Sequence, residues 1–457
     1  MTGLPEAERY VSAARLEQMV DAGDVGTVEL VLVDMQGRMQ GKRLNARYFL
    51  DVSARAGCEA QTYLLATDVE MSTVDGYDLA SWSTGYGNLV MRPDLTSMRR
   101  LPWHPRSVLA FADVVDRTGA VVTVSPRQML RAQLDRLDEH GWSSLVGSEL
   151  EFQLFADTYH QAWRDGYRSL RPVSDYGSDY GMLDTRGTGN FLTTLADGLA
   201  AAGIDVEGVL AEAGPGQHEI VLGVNPALTA ADNHALAKFA TKQIAAAAGY
   251  SATFMAKLGE HEGNSSHVHF SLRDGNDEPV MVGDGQHGFS SVMGGFLAGQ
   301  LAYLPELTLM FAPNVNSYKR FVDGSYAPTA MSWGYDNRTC ALRVVGSGSS
   351  LRFEHRLPGA DVNMFLALSA IVAAGLRGVK EGLELSEPLV GNAYATDLPR
   401  VPLSLPVALD AFRASDVAAE AFGEDVVRHY VRMAEIELEQ FSRSVTDWEK
   451  FRGFERL

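Results

Sequence analysis

The sequence predicts an α+β protein of two domains, residues 20–108 and 109–457. Three observations predict it. A strand–turn–strand pattern comes early and gives way to an irregular stretch. A helix with clear start and stop signals opens near residue 125, and strands then alternate with long Ala-rich helices to the end. With 457 residues, 46% of them hydrophobic, the chain is long enough for a sizeable core in each of two or three domains.

Taken in order, residues 9–24 read as a helix, with Val11, Leu16, Met19 and Val20 near helical spacing before Gly23. "TVELVLVDMQGRMQGKRL" reads as a strand, a turn at Gly37 and a return strand. The segment 57–100 reads as irregular, rich in Gly, Ser, Thr and Asp, and "RLPWHP" with the strand "SVLAFADVV" leads away from the first domain. Ser125 is placed to cap a helix with Pro126 in its first turn. Met129, Leu130, Gln133, Leu134 and Leu137 follow, and Gly141 ends it. The strands of the second domain read as "SLVGSELEFQLF", "HEIVLGV", "SHVHFSL", "CALRVVG" and "LRFEHRLPG", with no internal repeat.

The net charge of −19, with basic residues scattered and no run beyond Arg99–Arg100, argues against nucleic acid and anionic membrane as partners. No leader pattern and no apolar run of membrane length is visible. Cys58 and Cys340 give neither a disulfide framework nor zinc spacing, so a soluble cytoplasmic protein is expected.

One face of several strands is unusually charged. In "GSELEFQLF", Glu149, Glu151 and Gln153 share a face behind which Leu150, Phe152 and Leu154 lie. Two like charges side by side on such a strand need either water or something cationic. "HVHFSL" repeats the pattern with His267, His269 and Ser271, and "LRFEHRLPG" with Arg352, Glu354 and Arg356. "EAGPGQHEI" carries Glu212 and Glu219 on either side of a Gly-Pro turn, and "NRTCALRVV" adds Arg338 and Arg343. Singly, each reads as the solvated face of an antiparallel sheet. Their recurrence favours one polar surface. Carboxylates with one or two imidazoles and no thiolate suit magnesium or manganese rather than zinc. Arginines interleaved with such sites suit phosphoryl transfer.

Other signals do not carry. "GSGSS" lacks the Gly-Lys-Ser/Thr of a phosphate loop, and "HEGNSSH" spaces its histidines six apart, unlike a zinc protease helix. There is no Gly-x-Ser-x-Gly elbow and no dinucleotide fingerprint.

From about residue 20 onward the motifs resemble glutamine synthetase. "APNVNSYKRF" is similar to that family's Asn-Ser-Tyr-Lys-Arg signature, and "GSELEF", "EAGPGQHE", "HVHFSL", "NRTCALR" and "RFEHRLPG" match its other motifs in order. The resemblance implies a β-grasp N-terminal domain, a catalytic domain on a curved antiparallel sheet, and two stacked hexameric rings with active sites between subunits. It implies that Glu151, Glu212 and Glu219 hold one divalent ion and Glu149, His267 and Glu354 another. Glu207, His269, Ser271, Arg343 and Arg352 match nucleotide contacts. Glu151, Arg320, Arg338, Arg356 and the backbone at Gly263 match contacts to L-glutamate and its transferred phosphoryl group, with Arg338 also catalytic. The implied reaction is ATP-dependent phosphorylation of the γ-carboxylate, then attack by an amine.

The sequence departs from ammonium-using members at two acidic positions. Their Asp-Gly-Ser-Ser loop is absent from "YLLATDVEMSTVDGYDLASWSTGYGN", and Tyr326 in "GSYAP" stands where they carry a Glu guarding the ammonium site. The metal ligands are all retained, which speaks against a non-enzymatic relative. The chain thus resembles actinobacterial ligases acting on ethanolamine or polyamines. Ethanolamine is favoured, because an aromatic hydroxyl suits a neutral tail. Polyamine ligation, or ordinary glutamine synthesis with Asp68 or Glu70 filling the gap, are the alternatives. Tyr394, in "GNAYATDLP", falls where some relatives are adenylylated, and a loop tyrosine without a regulatory role is expected there.

Overall fold

The computed structural model describes residues 10–184, 187–260 and 263–457. Two sheets organise them. The first has the order β2–β1–β6–β4–β3, with β5 paired to β6. Its strands are β1 (Thr27–Val33), β2 (Met39–Asn45), β3 (Cys58–Gln61), β4 (Asn88–Pro93), β5 (Arg99–Arg100) and β6 (Ser107–Val115). β1 and β2 form the expected antiparallel pair about Gly37, whose φ of +78° suits a residue without Cβ.

Three expectations change here. The strand "SVLAFADVV" does not lead away. As β6 it pairs with β1, β4 and β5 at the centre of the first sheet, so a division at 108/109 would cut a strand. Its run of Val, Leu, Ala and Phe is the near-continuous apolar pattern of a strand buried on both faces. The segment 57–100 supplies three short strands, and its irregular part is 66–87. The first helix, α1 (Ala13–Asp21), is shorter than 9–24; Ser12 caps it by accepting from the Arg15 amide at 3.2 Å, and Arg9 lies outside the described residues.

The second sheet has eight strands in the order β12–β13–β14–β11–β7–β9–β8, with β10 on β7. They are β7 (Trp142–Phe155), β8 (Val206–Ala211), β9 (Gln217–Pro226), β10 (Ser251–Thr253), β11 (Ser266–Asp274), β12 (Trp333–Tyr335), β13 (Leu342–Val345) and β14 (Arg352–His355). All pairings are antiparallel except β12 with β13.

Helices cover the apolar back. The main ones are α2 (Pro126–Asp138), α3 (Gly189–Ala201), α4 (Ala227–Ala247), α5 (Ser291–Phe311), α6 (Met364–Glu381), α7 (Leu405–Arg413) and α8 (Glu424–Arg443). Ser125 occupies the cap position of α2, but its hydroxyl is buried, has no hydrogen-bond partner among the described residues, and does not cap the helix. α5 and α6 touch backbone to backbone: a Cβ on Gly299 would stand 2.2 Å from the Ala374 carbonyl. No helix among the described residues is long and apolar enough to cross a membrane.

Buried Arg127 ties the two sheets' domains together. It donates to Asp232 of α4 at 3.1 and 3.0 Å, to Asp94 at 2.8 Å and to Asp113 of β6 at 2.5 Å. Three carboxylates around one guanidinium keep the buried charge paired, without which it would be costly.

Candidate active site

The pleat of β7 sends Glu149 and Glu151 to one face of the second sheet and buries Leu150, Phe152 and Leu154 completely on the other. Strand register then supplies partners. His267 stands opposite Glu149, Glu219 opposite Glu151, and Glu354 opposite both His269 and Arg343. Five strands thus converge on one polar face, as the charged patterns require.

The contacts are short. His267 Nδ1 lies 3.0 Å from Glu149 Oε2 and 3.5 Å from Glu354 Oε1, while His269 Nε2 lies 3.0 Å from Glu149 Oε1. Arg343 donates to Glu354 Oε2 at 2.8 Å, and Arg356 donates to its Oε1. Glu151 accepts from the Ser265 amide at 2.7 Å and from Gln217 Nε2 at 3.0 Å.

The electrostatics are those of too many carboxylates in one place. Burial, reinforced by the carboxylates of Glu149, Glu151, Glu212 and Glu354, pushes Glu219 up to about 9. Burial and the Glu212 carboxylate raise Glu151 to about 7. Glu149 is different: burial opposes its ionisation, yet hydrogen bonds from His267 and His269 outweigh that and hold it well below the usual range. A cation would relieve this repulsion. Donor atoms of Glu149, His267 and Glu354, and again of Glu151, Glu219 and His267, lie within 4.8 Å of one another. His267 Nε2 is buried without a hydrogen-bond partner among the described residues. Oxygen donors with one imidazole fit a divalent ion. The grouping differs from expectation in two respects: His267 joins Glu151 and Glu219 as well as the first set, and Glu212 shares the crevice but belongs to neither close set.

Two adjoining crevices open on this face, and Glu149 borders both. One is lined by Glu149, Glu151, Glu212 and Glu219 together with Gly263, Tyr326, Arg338, Arg343 and Arg356. The other is lined by Glu207, His269, Ser271 and Arg352. Arg343 therefore falls in the first crevice rather than with the other residues matched to the nucleotide. Arg320 lines neither. It is buried beneath the floor, donating to Ser265 Oγ at 3.0 Å and to the Leu357 carbonyl. A side chain at Gly263 would meet Arg320 Cγ and the Ala256 carbonyl at 2.6 Å, so only glycine fits there. His261 lies outside the described residues.

Residues 123–452 match the model of the glutamine synthetase catalytic domain. The chain belongs to the glutamine synthetase family. It is 50% identical to the gamma-glutamylethanolamide synthetase GlnA4 of Streptomyces coelicolor, over 99% of this chain and 98% of that one. It is 35% identical to the glutamate–isopropylamine ligase of a Pseudomonas species, over 95% of this chain and 96% of that one. A solved structure of a GmaS/ADP complex superimposes with a TM-score of 0.84 at 26% identity, covering 96% of this chain and 99% of that one. The glutamine synthetase family uses ATP and divalent metals, and this member has acidic and imidazole clusters that could hold a metal ion.

Some of this glutamine synthetase fold's crevice residues carry no sequence pattern. Asp179 and Tyr180 reach it from an irregular loop, held by hydrogen bonds from the Asp179 amide to the Glu212 carbonyl (3.1 Å) and from the Tyr180 amide to the Ala211 carbonyl (2.9 Å). Gln217 was legible in principle, two residues before Glu219 on the same strand face.

Proposed function

We propose that the protein is an ATP-dependent ligase joining the γ-carboxylate of L-glutamate to a small organic amine, with ethanolamine favoured. Tyr326 carries this reading. It lines the carboxylate-lined crevice, 64% exposed, at the position where the motif resemblance places the glutamate of ammonium-using members. A small cation deprived of that carboxylate binds poorly and stays protonated. A neutral hydroxyl-bearing tail gains an aromatic wall and a phenol instead. The 50% identity to a relative named for ethanolamide synthesis supports the same choice.

In this reading Glu149, His267 and Glu354 hold one magnesium or manganese ion and Glu151, Glu219 and Glu212 another. An ion held there would supply positive charge to neutralise phosphate oxygens. Glu207, His269, Ser271 and Arg352 hold ATP in the second crevice, with Arg343 at the seam. Glu151, Arg338, Arg356 and the Gly263 backbone orient glutamate, and Arg320 braces the floor. The γ-phosphoryl group passes to a carboxylate oxygen, giving an acyl phosphate and ADP. The amine nitrogen then attacks the acyl carbon, the C–O bond to phosphate breaks, and the nitrogen gives up a proton. Arg338 and Arg356 stabilise the charge on the departing phosphate.

We further infer a ring assembly in which a neighbour completes the site. Every described residue lining the first crevice lies between 149 and 356, so the first domain of the same chain contributes none of them. The irregular part of the first domain exposes Val69, Met71 and Trp82, apolar groups suited to such a contact. A ligase consuming ATP and glutamate works in the cytoplasm, which cell fractionation tests. Initial rates of phosphate release with different amines test the ligase reading.

A further inference from the structure

Tyr326 sits on a loop, Val322–Ala330, that is fastened on both sides of it. Its own backbone is left-handed, with φ of +60°, and Gly324 just before it has φ of +83°. A tyrosine rarely adopts that conformation, so something outside the loop must hold it. Before Tyr326, Asp323 receives both arms of Arg400, at 2.8 and 3.1 Å, and the Thr329 hydroxyl at 2.5 Å. After Tyr326, the buried Ala327 offers its carbonyl to the Tyr394 hydroxyl at 3.1 Å.

Arg400 and Tyr394 belong to one segment, residues 389–401, which runs beside the loop and pairs with it. The amides of Leu389, Met331 and Val401 bond the carbonyls of Trp333, Pro399 and Thr329 at 2.8, 2.8 and 3.1 Å. Tyr394 is itself anchored: Asn392 Oδ1 accepts from its amide at 3.0 Å, and Ala393 packs with Ala330 and Cys340 in a small separate apolar cluster. Burial raises the Tyr394 phenol to about 12, so it remains a neutral donor at working pH.

We propose that Tyr394 and the Arg400–Asp323 pair are positioning residues for Tyr326, fixing the width of the amine entrance and hence the choice of amine. This rests on the ligase reading above, since it assigns Tyr326 to the amine. None of the three residues lines the crevice holding glutamate or the one holding the nucleotide. Their influence should therefore fall on one substrate of three.

The test uses Tyr394→Phe, which removes a single hydroxyl, and Arg400→Gln, which breaks the paired fork without emptying the site. KM and kcat/KM are measured for ethanolamine, ammonium, glutamate and ATP on the full-length enzyme. The expected result is a rise in ethanolamine KM of about two- to tenfold, the worth of one hydrogen bond. The ethanolamine-to-ammonium ratio of kcat/KM should fall by a similar factor, with KM for glutamate and ATP unchanged. An unchanged ratio in both variants overturns the inference. So does an equal rise in all KM values, which a merely structural role would give. The ligase reading is judged separately, from the wild-type preference among amines. The inference is judged from the change between wild type and variant.

Discussion

Replacing Glu354 by Gln removes a charge at the point where the most contacts of the site meet. The Glu354 side chain is 0% exposed and is shared by Arg343 at 2.8 Å, Arg356, and His267 at 3.5 Å. Glutamine keeps the volume, but its amide nitrogen must face a guanidinium donor on one side, buried Arg356 loses its carboxylate partner, and half-buried Arg343 is left with Asp336 alone. Breaking a buried pair in this way costs ~3–5 kcal/mol. If that cost falls on the transition state, it corresponds to a loss of roughly two to three and a half decades in kcat/KM. The assay is initial phosphate release over a magnesium titration, with thermal melts of the same samples. The variant should show the rate loss and a smaller magnesium-induced rise in melting temperature, while its circular dichroism stays native. Glu354→Asp, which keeps the charge, should retain more of both. A Glu354→Gln enzyme within twofold of wild type across the titration would refute the ligand role.

Further outcomes follow from the same contacts. Arg356→Lys keeps the charge but loses the planar fork and one arm on Glu354, so kcat/KM for glutamate should fall on the order of tenfold or more; unchanged glutamate kinetics would count against Arg356 as a glutamate contact. His429 is buried against Tyr77, its Nε2 without a hydrogen-bond partner among the described residues, and burial lowers it to about 4. The unfolded chain then binds the proton first as pH falls below about 6.5, so stability present at neutral pH is lost towards pH 4, with ~2 kcal/mol gone by pH 5. His429→Phe should lose less melting temperature between pH 7.5 and 5 than wild type, and an identical loss would contradict the assignment. Light scattering should find the active species to be a large ring, and a fully active monomer would remove the shared-site reading.

Much of the site was legible because strand geometry is regular. A period of two places Glu149 with Glu151, His267 with His269, and Arg352 with Glu354, whatever the strand's neighbours. Which strands lie side by side is set by tertiary pairing, so the contact of Glu149 with His267 had no local signal. Glu212 sits on a turn, and no periodicity governs its distance from Glu151 and Glu219. Motif match alone assigns Arg320 to glutamate, whereas its burial beneath the floor follows from packing against Gly263. The first domain was read least well. β6 reads as an exit strand because its parallel partner, β1, lies eighty residues away in sequence. Asp179 and Tyr180 come from a loop whose path is fixed by carbonyls of β8 and Glu212, and loops carry no repeating pattern to read.

The central claim, that an organic amine rather than ammonium completes the reaction, is tested most directly by one comparison. Initial phosphate release is measured with ATP, magnesium and glutamate, and with ammonium, ethanolamine, putrescine or spermine at equal concentration. The account predicts the highest kcat/KM with ethanolamine, with phosphate release matched by ethanolamide formed. A polyamine in first place would leave the ligase standing and remove only the reading of Tyr326 as a wall for a neutral tail. Ammonium in first place would contradict the account.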